Sequence, residues 1–461
     1  MYLRTHMNFF VFLSGVVLTL GTFTTAQVFD TVHAFTPASG AVNPLYVTPA
    51  QGRDGKLYGT TFGYSPTCGT VFREGLDGSG GILFRWAGAN CTPSEASLTL
   101  ATNGNFYGTT VEGGASNLGI LFRIAPSGAY TVLHEFSGTD GAYPISPPIE
   151  ASDGNLYGTT YGYTGYYATT VYKYTRSGVF STIYLPNGQN EGAVGPLIQA
   201  VDGNLYGTTD SGGTAKCGTI FKINTSGTLL NVYSFACNGG GGVAVGPPMQ
   251  ADDGNIYGAT LNGGDASGDG IIYRWDQKGV FSILHTLQGY PSEGANPTAG
   301  LVQATDGNFY GVARAGGLYG SGALFQLTKA GNYTNLYSLV GDSGELPEAA
   351  LLQHTNGTFY GTAGRAGLYG YGTIYSLDMG LGPFVTFVRP TGKVGQTGQI
   401  LGQNLTGATS VTFNGVPATN FTVVEDTYMT AIVPTGATTG KVVVTTPGGT
   451  LTSNVNFRII N

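Results

Sequence analysis

Asp202-Gly203-Asn204-Leu205-Tyr206-Gly207-Thr208-Thr209 decides the fold of this chain, because the stretch keeps returning. Its tyrosine recurs as Tyr58, Tyr107, Tyr157, Tyr206, Tyr257, Tyr310 and Tyr360, at intervals of 49, 50, 49, 51, 53 and 50 residues. Each copy carries a turn glycine three residues earlier, from Gly55 to Gly357, and another glycine directly after the tyrosine, from Gly59 to Gly361. Self-similarity at a fixed period is the mark of a repeat architecture.

Working outward, one unit reads as four strands. Pro196 to Ala200 is the first, and Asp202-Gly203-Asn204 supplies the positive φ that a tight hairpin turn needs. Leu205 to Thr209 is the second, Gly218 to Ile223 the third and Leu229 to Phe235 the fourth. The glycine inside the second strand predicts close approach of a ring or backbone, expected from the next sheet packed face to face. Fifty residues, four strands and no helical period describe a propeller blade. A third-strand aromatic occurs seven times, as Phe72, Phe122, Tyr172, Phe221, Tyr273, Phe325 and Tyr375. The pattern then stops, leaving the last unit without its fourth strand. Val28 to Phe35 matches Tyr130 to Phe136 in type, so the N-terminus is expected to complete the seventh blade and hide two sheet edges. The expected fold is all-β: a seven-bladed β-propeller of about 50-residue four-stranded repeats over residues 27–379. From Pro383 to Asn461 short Val/Thr-rich strands, such as Ser410 to Asn414 and Gly440 to Thr446, predict a small immunoglobulin-like β-sandwich.

Composition narrows the function. The chain has 461 residues, 19 Lys+Arg against 26 Asp+Glu and a formal net charge of −7, which excludes the basic face of a nucleic-acid binder. At 41% hydrophobic and 12% aromatic it can build a core, which excludes disorder. Arg4 and His6, an apolar stretch from Phe9 to Leu20 and small residues ending at Ala26 read as a signal peptide over residues 1–26. The mature chain is then expected to start near Gln27, with no transmembrane segment after cleavage, as a secreted, cell-surface or periplasmic protein. Cys68 and Cys217 precede the third strands of their units, and Cys91 and Cys237 follow the fourth. That hairpin register predicts two disulfides, Cys68–Cys91 and Cys217–Cys237.

The chemistry-bearing residues mostly have structural readings. Asp54, Asp153, Asp202, Asp253 and Asp306 share a turn slot with Asn103 and Asn356, so turn formation explains both types. His33, His134 and His285 occupy a half-buried fourth-strand slot, and His354 has no evident partner. No nucleophile elbow, phosphate loop or zinc spacing is present. No catalytic, cofactor-binding or metal residue is therefore expected. The loops between second and third strands hold Tyr64, Tyr163, Tyr166, Tyr167, Tyr319, Tyr369 and Tyr371, with Arg314 and Arg365 nearby. Tyrosines on glycine-rich loops can stack on sugars or anchor a protein, so these nine are the candidate ligand-binding residues. The first reading is an exported, non-enzymatic protein binding a glycan or a surface protein. One alternative is a polysaccharide lyase or hydrolase, marked by a cluster of unpaired acids, His or Tyr at the ring mouth that breaks sevenfold equivalence. The other is a purely structural cell-surface component.

The repeat, with Asp-Gly-Asn-Leu-Tyr-Gly-Thr-Thr, then Gly-Thr-Ile-Phe (Gly218 to Phe221) and closing aromatics, resembles the bacterial tandem-repeat family called GloVer over residues 28–377. The tail resembles an IPT/TIG domain in Pro390-Thr-Gly392, Gly395-Gln-Thr-Gly398, Gly402-Gln-Asn-Leu405, Val411 to Val416, Val433-Pro434 and Thr439-Gly440. The first resemblance implies an exported bacterial surface protein, and the second an accessory immunoglobulin-like fold of the kind found beside binding modules.

Overall fold

In the computed structural model, residues 27–37, 41–63, 68–87, 94–162, 169–185 and 195–460 are described. They form strands, turns and two short 3-10 segments, with no α-helix among them. Nine four-stranded sheets account for most of the strands, and seven of these follow the repeat. Six lie at residues 50–85, 99–135, 149–184, 198–234, 249–286 and 302–338, in simple up-and-down order. The seventh combines strands at 352–378 with Val28–Ala34, which pairs antiparallel with Thr373–Asp378 from Val28↔Asp378 to Ala34↔Thr373. The architecture is all-β and propeller-like.

Each octapeptide has the same two jobs. The turn aspartate accepts the amide of the residue two positions on and the phenol four positions on, as in Asn155 N to Asp153 Oδ1 at 3.0 Å and Tyr157 Oη to Asp153 Oδ2 at 2.7 Å. Where asparagine fills the slot its amide donates to the phenol instead, from Asn103 to Tyr107 at 2.7 Å and from Asn356 to Tyr360 at 3.1 Å. Turn formation therefore does explain the carboxylates. The second-strand glycine sits under the third-strand aromatic of its own sheet, with Gly59 opposite Phe72 and Gly361 opposite Tyr375. A Cβ at any of the seven glycines would overlap that ring tip. The expectation of a partner in the next sheet is thus corrected: the glycine makes room within one hairpin, so the ring can lie flat across its neighbour strand.

In three units that aromatic is tyrosine. Tyr172, Tyr273 and Tyr375 are fully buried, and the hydroxyls of Tyr172 and Tyr375 have no hydrogen-bond partner among the described residues. Phenylalanine holds the slot in the other four units. Tyr172→Phe and Tyr375→Phe should each raise the unfolding free energy by about 1–3 kcal/mol, the cost of an unsatisfied buried polar group. Denaturant unfolding beside the wild type measures this; unchanged midpoints would mean that the hydroxyls are satisfied.

Residues 383–460 form two further four-stranded sheets around their own core of Val385, Ile400, Val411, Phe413, Met429, Val444 and Phe457. Cys217 and Cys237 are disulfide-bonded with Cα atoms 5.4 Å apart, as the hairpin register requires. Cys68 is also disulfide-bonded, while Cys91 lies outside the described residues. The signal-peptide reading falls on residues 1–26, likewise outside. No helix among the described residues is long and apolar enough to cross a membrane.

Candidate functional site

The links entering each first strand converge on a cavity of about 900 Å³. Much of its wall is apolar and repetitive: Pro49, Leu98, Pro147, Pro196, Pro247 and Ala349 line it at related positions. Two slots break the repetition. Five residues before the end of each first strand stand Tyr46, Glu95, Ile145, Val194, Val245, Thr298 and Glu348; all but Val194, which lies outside the described residues, line the cavity. Directly after each second strand stand Phe62, Val111, Tyr161, Asp210, Leu261, Arg314 and Gly364, of which the middle five line it. Glu112 adds a fourth carboxylate to Glu95, Asp210 and Glu348, against Arg314 as the one cation in the lining.

The backbone holds the second slot by a repeated strut. Asn43, Tyr143, Val243, Asn296 and Leu346 sit in the left-handed region with φ of 52–58°. Each donates its amide to the preceding unit and accepts one from the following strand end, as in Asn296 N to Asp269 O at 2.7 Å and Arg314 N to Asn296 O at 3.4 Å. Non-glycine residues tolerate that conformation at a cost of about 1 kcal/mol or more only where their surroundings enforce it.

Arg314 Nε lies 2.7 Å from Glu348 Oε1. The contact is an ion pair rather than an aligned hydrogen bond, since the Nε–H finds no acceptor among the described residues. Glu348 is 6% exposed, and burial pushes its carboxyl up while Arg314 pulls it back down. Glu95 has no ion-pair partner among the described residues; burial raises it, and the charges of Glu348 and Glu112 raise it further. Tyr46, against Glu348, is pushed up to about 12 by burial first and by that carboxylate second. Burial thus raises both carboxyls, and their neighbours differ: Glu348 has a cation beside it, whereas Glu95 feels the charges of two carboxylates.

The structure divides the nine candidate residues. Arg314 is in the cavity wall, and the charge of Arg365 reaches Glu348. Tyr319 and Tyr369 are 56% and 53% exposed, and with Tyr371 they stand on loops outside the cavity lining. Tyr64, Tyr163, Tyr166 and Tyr167 lie outside the described residues. His33, His134 and His285 each contact a carboxylate, Glu74, Asp140 and Glu293, at 3.2, 2.8 and 2.9 Å. His354 is corrected: it is completely buried, donates from Nε2 to the Gly55 carbonyl at 3.0 Å and accepts the Asn356 amide at Nδ1, which fixes its neutral tautomer. Among the described residues no group of three or more His, Cys, Asp or Glu is placed to hold a metal. Sequence reading missed Glu95, Glu112, Asp210 and Glu348. The available signal was the unlikeness of the seven residues in each of two aligned slots.

A family described as the Gloeobacter/Verrucomicrobia repeat matches residues 44–247 and 233–424. No protein of curated function matches the chain. Among solved structures it is similar to a periplasmic gluconolactonase of Pseudomonas aeruginosa, at 18% identity over 71% of this chain and 97% of that one, with a TM-score of 0.45. A gluconolactonase of Xanthomonas campestris matches at 11% identity over 76% and 95%, TM-score 0.40. An aldose sugar dehydrogenase of Streptomyces coelicolor matches at 14% identity over 61% and 92%, TM-score 0.39. The names of these neighbours, two lactonases and a dehydrogenase, stand against the expectation of a non-enzymatic glycan- or protein-binding chain, while the likeness itself extends to the fold alone. Four carboxylates at the cavity break the equivalence of the units, although Glu348 among them is paired with Arg314.

Proposed function

We propose that this chain, which belongs to the Gloeobacter/Verrucomicrobia repeat family, is a hydrolase whose active site is the cavity between its repeat sheets. In this reading residues 27–379 form one closed seven-bladed ring and residues 383–461 an IPT/TIG immunoglobulin-like unit. The protein works outside the cytoplasm, which the Cys217–Cys237 disulfide supports. The observation that carries the activity is one cavity lined by Glu95, Arg314 and Glu348, with Arg314 Nε 2.7 Å from Glu348 Oε1 and no ion-pair partner for Glu95 among the described residues.

Glu348, beside Arg314, is the base: it takes a proton from water, whose oxygen attacks the electrophilic carbon. Glu95, beside anions, keeps its proton and delivers it to the leaving oxygen as the bond to carbon breaks. Arg314 favours the ionised form of Glu348 that can take this proton. The substrate is neutral and rich in hydroxyls, because Glu112 and Asp210 repel anions while prolines and tyrosines offer faces on which sugar rings stack. A cavity of about 900 Å³ suits a drug-sized or disaccharide-sized molecule.

A panel of neutral glycosides and sugar esters tests this, with Glu95→Gln beside the wild type. The variant should keep its melting temperature and lose about 10²–10⁴ in kcat/KM, the usual worth of a positioned acid. With the wild type, activity should fall as pH rises through the raised Glu95 carboxyl, and this alkaline limb should vanish in the variant's residual rate. Hydrolysis at equal rates by both proteins would remove Glu95 from the mechanism.

A further inference from the structure

At the opposite ends of the first strands, the turns are tied to one another by a belt of side chains. The last residue of each first strand reaches back to the turn of the preceding sheet and accepts a backbone amide there. Glu150 accepts from Thr102 at 2.6 Å, Gln199 from Ser152 at 2.7 Å and Gln250 from Val201 at 2.7 Å. Gln303 accepts from Asp252 at 2.8 Å and Gln353 from Thr305 at 3.2 Å. Gln51 accepts from Thr355 at 3.1 Å, which joins the seventh sheet to the first. Six of seven junctions are closed this way. The seventh, between the first and second sheets, has Leu100 in the slot, and leucine has nothing to offer the Arg53 amide.

The tail reaches the same junction by another route, through the Arg53 side chain and the Arg53 and Thr102 carbonyls. Arg53 Nη2 donates to Gln399 Oε1 at 2.8 Å and to the Thr102 carbonyl at 2.9 Å. Gln399 Nε2 donates to the same carbonyl at 2.7 Å. Thr427 Oγ1 donates to the Arg53 carbonyl at 2.5 Å, and the Arg53 guanidinium lies 4.4 Å from the centre of the Tyr428 ring. Other tail contacts reach turns that already have their belt bond: Arg389 meets Glu150 at 3.6 Å, Arg458 Nη1 donates to the Ala200 carbonyl at 2.9 Å, and Gln403 donates to Thr355 at 2.9 Å.

We infer that the C-terminal unit is a clasp in cis, with Gln399 replacing the belt residue that Leu100 omits. This goes beyond the hydrolase reading and does not need it. It does bear on it, because the link between the first and second sheets is the one that carries Glu95.

The test is a double-mutant cycle in the full chain between Gln399→Ala and Leu100→Gln, read by thermal unfolding and by hydrogen exchange of the segment 52–58. Gln399→Ala should lower the melting temperature by about 2 °C, the scale of one lost hydrogen bond in a chain of this size. Leu100→Gln should recover at least half of that loss, and it should stabilise the Gln399→Ala background more than the wild type. In both backgrounds Leu100→Gln should slow exchange at the Arg53 amide about tenfold, since a new acceptor reaches it. Equal effects of Leu100→Gln on melting in the two backgrounds, or a silent Gln399→Ala, would overturn the clasp. Both readouts are independent of activity, so failure of the hydrolase reading would leave them unchanged.

Discussion

A chain lacking residues 27–36 is expected to melt at least 10 °C below the full protein and to associate through its exposed edge. The segment Val28–Ala34 supplies the outer strand of the seventh sheet, although it lies more than 300 residues from its partner Thr373–Asp378. Phe29 stacks on Tyr337 at 3.8 Å, and Phe35 is buried against Phe72 at 5.6 Å, so the strand packs on the sixth sheet and the first as well as on the seventh. Two aromatic side chains at about 2–3 kcal/mol each are lost with it. So is the partner of Glu74, a carboxylate 2% exposed that contacts His33 at 3.2 Å. An unpaired strand edge would then face water and offer itself to other chains. Thermal unfolding and light scattering of the truncated protein measure both effects. A peptide of residues 27–36 added in trans should raise the midpoint again in proportion to its concentration. An unchanged midpoint in the truncation would reject the closing role of the strand.

That strand was legible because the repeat counts itself. Seven third strands but six fourth strands leave one vacancy, and the N-terminal stretch has the right residue types to fill it. The Cys217–Cys237 bond was legible for a similar reason, since hairpin register places the start of one strand beside the end of the next. What remained hidden depended on side-chain direction. Gly207 announced a close contact, but whether the ring came from its own hairpin or from the next sheet was not in the spacing. Gln199, Gln250 and Gln303 recur visibly, yet a polar residue ending a short strand reads as solvated until its partner is seen. The cavity was hidden because the slots that give it its charge break the repeat. Sameness runs through Tyr206 and Gly207, whereas Glu95, Arg314 and Glu348 stand in slots where the units differ, so no recurrence points to them. The loop tyrosines attracted attention by type alone, and Tyr319 and Tyr369 stand outside the cavity.

Glu348→Gln should cost about 10²–10⁴ in kcat/KM, with most of the loss in kcat. The substitution keeps the shape of the side chain and removes the carboxylate proposed as the base. It also leaves Arg314 beside a neutral amide. Arg314 Nε lies 2.7 Å from the carboxylate in a partly exposed position, so the freed guanidinium can turn toward the cavity instead of being stranded. Stability should therefore change little, which separates this variant from a merely unfolded one. The neighbours provide a sharper check. The Glu348 charge helps to raise both Glu95 and Tyr46, so in Glu348→Gln both groups should titrate at lower pH than in the wild type. For Glu95 the sign is fixed by charge: removing a nearby anion favours the ionised carboxylate. The alkaline limb of the residual activity should accordingly move toward lower pH, measured over several buffers at constant ionic strength. Arg314→Gln should move it the other way, because an unscreened Glu348 charge raises Glu95 further. If the two variants shifted the limb in the same direction, Glu95 and Glu348 would not act as a coupled acid and base.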